Sequence, residues 1–177
     1  MKNLKHYTVI GTFFVLITGT LAHFIYDWYG NNTLIGLFTP INESIWEHMK
    51  LVFFPMLLYA FFMIFRLRKD HPCIISSLSA GILAGTLLIP LLFYAYTGIL
   101  GKDCFVLDIG TFIVSVLCAF FLSYRLTLSC KAKPYTVFLC VLTGILFFSF
   151  IRFTYYPPAF DIFAGPSAET LYLTIKG

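Results

Sequence analysis

Five apolar stretches separated by short polar connections leave this chain few folds to choose from. They run roughly 7–27, 45–66, 73–96, 104–124 and 135–154. Each is long enough for a helix to cross the hydrocarbon layer of a bilayer, which takes about 20 residues. Their interiors lack the alternation of apolar and polar residues that marks barrel strands. The expected fold is therefore all-α: a single transmembrane domain over residues 1–177, built as a bundle of about five membrane helices. Composition agrees, with a mean hydropathy of +0.88, 59% hydrophobic residues and only 11% charged ones. A soluble domain of this size cannot bury so much apolar surface, so the lipid bilayer is the expected partner. The first stretch is long for a signal-peptide core and has no small-x-small cleavage site behind it, so it reads as retained.

The charges are sorted by end. With five spans, Lys2, Lys5, Arg66, Arg68, Lys69, Arg125, Lys131 and Lys133 share one side, eight of the twelve basic residues. The positive-inside rule makes that side cytoplasmic, with the N-terminus, and places the C-terminus outside. Asp27, Glu43, Glu47, Asp103, Asp108, Asp161 and Glu169 fall on the other side, and only Asp70 lies with the basic residues. The net charge of +4 is thus the sum of a basic end and an acidic one, and implies no nucleic-acid partner.

The connections carry local signals. Thr39-Pro40 suits a helix N-cap followed by its first residue, and Asn42 is a second candidate cap. Pro55 and Pro90 lie inside the second and third spans and are expected to kink them. Ser77, Gly81 and Gly85 form a small-xxx-small stripe that permits close helix packing, within the bundle or with a partner subunit. The five cysteines contain no CxxC pair, and only Cys104 lies near the outer side. They read as small apolar filler, with no disulfide framework. Residues 155–177, broken by Pro157, Pro158, Gly165 and Pro166, suit an interfacial segment or lid over the outer end.

Polar chemistry gathers at that outer end. In Thr39–Lys50 seven of the twelve residues are polar or charged, and the stretch runs straight into a membrane span. Charges at the mouth of a membrane helix are costly without partners, so they suggest a site. At 100° per residue, Thr20, His23 and Asp27 share a face of the first span. Glu43, Glu47 and Lys50 share a face of the second, while Ser44 and His48 share another about 100° away. Glu47 and His48 therefore cannot both point at one small centre on a regular helix. The fourth span offers Asp108, Thr111 and Ser115, and the fifth Ser149, Arg152 and Tyr156. Arg152 is expected to pair with Asp108 or Glu47.

Several chemistries fit these groups. A divalent metal such as zinc would take His23 and His48 as nitrogen ligands, helped by Glu47 or Glu43. Hydrolysis would use a water activated by a metal or carboxylate, with Glu47, His48 and Asp108 as the catalytic candidates. A small ligand would meet His23, Asp27, Asn42, Glu43, Ser44, Trp46, Arg152 and Tyr156. Each residue also has a plainer role. Glu43 can offset a helix dipole, Lys50 can snorkel, Trp46 can belong to an interfacial belt, and Asp108 with Arg152 can be a structural ion pair.

The words His23-Phe-Ile-Tyr-Asp-Trp28, Gly36-Leu-Phe-Thr-Pro-Ile-Asn-Glu-Ser-Ile-Trp-Glu-His-Met-Lys50, Leu51-Val-Phe-Phe-Pro55 and Tyr156-Pro-Pro158 carry a resemblance. With Asp108 near the start of the fourth span, they are similar to the DUF6512 family of small, uncharacterised bacterial membrane proteins. The resemblance covers most of the chain and implies a multi-pass bacterial protein with a shared outer polar motif. It implies no activity. Three readings of function stand at this stage. One is a membrane protein with an outward-facing His/carboxylate pocket for a small ligand or metal, extending to a membrane-embedded hydrolase of a lipid-like substrate. The second is a substrate-binding or transport subunit of an importer, and the third a structural or assembly partner.

Overall fold

The computed structural model describes residues 2–164, and every long apolar stretch is helical in it. The helices are α1 (Lys2–Trp28), the single turn α2 (Thr33–Gly36), α3 (Ile45–Leu67), α4 (Ile74–Leu100), α5 (Phe105–Ser129) and α6 (Thr136–Tyr155). Two further 3₁₀ turns, Lys133–Tyr135 and Asp161–Phe163, flank α6. No strand occurs among the described residues. Five helices are long and apolar enough to cross a membrane. α4 and α5 run past the expected limits of 96 and 124 because a helix ends where its cap lies, not where polarity first rises. Both stop at left-handed caps, Gly101 (φ 68°) and Cys130 (φ 53°), whose N–H groups bond back to Thr97 and Leu126.

α3 and α4 form the centre. In each, 56% of the most apolar window is buried, against 11% in α6. Val52, Phe53, Met56, Ala60 and Met63 of α3 face the core with Leu78 and Ile82 of α4 and Val116, Ala119 and Phe120 of α5. α6 lies against α4, and its Phe147 and Phe150 meet the Phe53 and Phe54 rings of α3. Both prolines remain inside continuous helices. Pro55 has no N–H for the Leu51 carbonyl one turn earlier. Gly19 of α1 packs against that carbonyl, where a Cβ would come within 2.6 Å of the oxygen.

The stripe Ser77, Gly81 and Gly85 is filled from within the chain. A side chain at Gly81 would collide with Ser123 and the Ala119 carbonyl, and one at Gly85 with the Ala119 methyl. The stripe packs on α5 within the chain.

The cysteines need correction. Cys73 and Cys130 form a disulfide with 5.3 Å between their Cα atoms, while Cys104, Cys118 and Cys140 are free. Cys73 starts α4 and Cys130 ends α5. These two helices are joined by a short connection and pack side by side, so the start of one meets the end of the other. No local spacing reveals such a pair.

Beyond α6, the turn Asp161–Phe163 folds back on α3, with the Phe163 ring 4.8 Å from that of Trp46. The expected covering segment thus begins here. Its remainder, with Glu169, lies outside the described residues.

Candidate functional site

The polar stretch before α3 folds around its own side chains. Ser44 is the N-cap of α3, extended at ψ 152°, and its hydroxyl accepts the Glu47 N–H at 3.3 Å. Asn42 Oδ1 accepts the Ser44 N–H at 2.9 Å. Glu47 is the third residue of the helix, the position from which a capping-box carboxylate reaches back. Here it reaches further, and Oε2 accepts the Ile41 N–H at 3.0 Å.

The same oxygen accepts from Lys50 Nζ at 2.8 Å. Lys50 also donates to the Gly36 carbonyl at 2.9 Å, the Thr39 carbonyl at 3.4 Å and Thr154 Oγ1 at 2.5 Å. The Thr154 hydroxyl gives its own proton to the Phe150 carbonyl, which leaves a lone pair for the ammonium. Lys50 is 0% exposed and Glu47 2%. Lys50 therefore does not snorkel. It is a tethered cation inside an oxygen cage, and it locks the 36–41 loop and the end of α6 onto α3. Glu47 is engaged by this pair and lies outside the cluster that the histidines form with Glu43.

A second cluster lies on the other face of the same turn. His23 comes from α1, Glu43 from the loop and His48 from α3, with one ligand atom from each lying within 4.8 Å of the others. His23 Nε2 is 3.7 Å from Glu43 Oε1, and His48 Nε2 is 3.4 Å from Glu43 Oε2. His48 Nδ1 lies 2.9 Å from the Ser44 carbonyl. A carbonyl only accepts, so that nitrogen carries a proton and a neutral His48 turns the lone pair of Nε2 toward the carboxylate. Two electron-rich groups in this position repel unless a proton, a water molecule or a metal ion lies between them. His23 Nδ1 is buried with no partner.

The other candidates are placed elsewhere. Asp27 is exposed and outside the cluster. Asp108 accepts from the Tyr96 hydroxyl, which also accepts the Cys104 N–H. Arg152 pairs with neither Asp108 nor Glu47. It is exposed, and its guanidinium lies 4.2 Å from the Tyr156 ring centre. Trp46 is a core residue, packed on Phe150 and Phe163 at 4.7 and 4.8 Å between ring centres. Sequence reasoning missed Gly36, Thr39, Thr154 and Tyr96. One signal was present: Lys50 enters an apolar helix one turn after Glu47, and a buried cation has to find oxygens.

Five apolar helices with a loop knotted by buried and half-exposed charges define the class, a small multi-pass helical membrane protein. The chain belongs to the DUF6512 family, a family of unknown function, whose sequence model matches residues 1–170. No curated protein and no solved structure matches it.

Proposed function

We propose that the protein binds a divalent transition-metal ion, zinc by its donor chemistry, through His23, Glu43 and His48, and that the ion presents a small ligand at the loop end of the bundle. The observation that carries this reading is the convergence of His23 Nε2 and His48 Nε2 on the Glu43 carboxylate, at 3.7 and 3.4 Å. Two imidazoles and a carboxylate are a common zinc set, with bonds of about 2.0–2.2 Å. The three residues would have to draw together to bind, and the Glu43 side chain, 63% exposed, has open space around it. The bond from His48 to the Ser44 carbonyl is the outer contact that typically fixes a ligating imidazole.

Three protein ligands leave a fourth tetrahedral position for water or a substrate oxygen. A zinc-bound water ionises near neutral pH, which would make the site a hydrolytic centre for a substrate arriving along the membrane surface. Glu47 and Asp108 are engaged elsewhere, so the chemistry would rest on the ion and on groups the substrate brings. Purified protein should carry about one zinc ion per chain. His23→Ala, His48→Ala and Glu43→Ala should each lower that content without unfolding the protein. Wild-type protein that neither retains zinc nor takes it up in a titration would overturn the proposal.

A further inference from the structure

We propose that Cys73 and Cys130 form a reversible thiol–disulfide exchange site at the basic end of the bundle, reacting with a dithiol reductant from the compartment which that end faces. The proposal does not rest on the metal reading, because His23, Glu43 and His48 sit at the opposite end of the bundle.

Three observations carry it. The bond joins the α3–α4 connection to the α5–α6 connection, two loops that hold Arg68, Lys69, Lys131 and Lys133, with Arg66 in the last turn of α3 beside them. Loops this basic remain on the cytoplasmic side. Thiols there are kept reduced, and disulfides that do form are generally transient. Secondly, the two sulfurs differ. Cys73 is 1% exposed and occupies the N-cap of α4, where the helix dipole favours a thiolate. Cys130 is only partly buried and closes the C-terminus of α5, where the dipole opposes one. Thirdly, α6 has little burial of its own. The bond sits at the end of α5, just ahead of α6 in the chain.

The asymmetry sets the direction of exchange. A reductant thiolate attacks Cys130 Sγ, on the less buried of the two residues. A mixed disulfide forms, the Cys73–Cys130 bond breaks, and Cys73 leaves as the stabilised thiolate. The second thiol of the reductant then displaces Cys130. Two electrons pass from the dithiol to the protein, the two thiol protons end on Cys73 and Cys130, and the reductant becomes a disulfide.

The test uses full-length protein in intact cells, with Cys104→Ala, Cys118→Ala and Cys140→Ala so that only the pair can react. Cells are quenched in acid and the protein is labelled with a mass-tagged maleimide. The expected result is two tags in growing cells, none after a membrane-permeable thiol oxidant, and two again after the oxidant is removed. A pair that stays untagged until denatured with reductant would be a permanent staple. A pair that stays tagged under oxidant never forms the bond. Either result defeats the proposal. Labelling of the reduced pair by a membrane-impermeant maleimide from outside would defeat it as well, because the basic end would then face outward. Zinc content in Cys73→Ser should match wild type, so the two proposals fail separately.

Discussion

Lys50 Nζ and Glu47 Oε2 lie 2.8 Å apart, one turn from each other on α3, and neither side chain reaches solvent. A charge pair in this position gains from mutual attraction, but removing one partner leaves the other stranded in a medium that cannot solvate it. Lys50→Met is therefore expected to destabilise the protein by about 3–5 kcal/mol. Lys50→Met combined with Glu47→Leu should recover much of that loss. Thermal unfolding of the three proteins in one detergent decides the matter, and a Lys50→Met protein that melts like wild type would refute the cage.

Arg152 provides the contrast. Its charge faces out and rests on the Tyr156 ring. Exposed cation–π contacts are worth about 0.5–1 kcal/mol, so Arg152→Leu should cost no more than that. A loss as large as that of Lys50→Met would show that Arg152 has a buried acidic partner after all.

Two glycines should respond oppositely. Gly81 sits against Ser123 and the Ala119 carbonyl, whereas a Cβ at Gly110 of α5 meets nothing within 4 Å. Gly81→Val forces α4 and α5 apart and is expected to cost about 1–3 kcal/mol. Gly110→Ala is expected to gain about 0.5–1 kcal/mol from helix propensity alone. Equal effects at both positions, read from unfolding midpoints, would contradict the close packing of α4 on α5.

Zinc at His23, Glu43 and His48 would compete with protons for both imidazoles. Affinity should fall as the solution is acidified, by a factor of up to about 100 per pH unit once both rings are protonated. Zinc titrations at stepped pH measure this. An affinity independent of pH through the acid range would place the metal on other groups.

The fold was legible because about 20 apolar residues in a row have few alternatives to a spanning helix. The site was legible only in part. Helical geometry separated Glu47 from His48, and the structure keeps them in different clusters. It could not say that Glu47 would turn inward to Lys50, because that depends on where the loop sets the Gly36 and Thr39 carbonyls. Arg152 misled for a related reason. A cation near the end of a span looks buried in one dimension, but only the packing of α6 decides which side it faces. Cys73 and Cys130 escaped because 57 residues separate them and only tertiary packing joins them.

Lys50 donates to a hydroxyl 104 residues further along the chain, on the last of the five long helices. During synthesis, α3 is made well before Thr154 exists. The ammonium then has Glu47 and the loop carbonyls but lacks its fourth oxygen. Only the arrival of α6 closes the shell, so coordination of one side chain records whether α6 has been made and has docked. A chain stopped short of α6 keeps an incompletely coordinated charge at the mouth of a membrane helix.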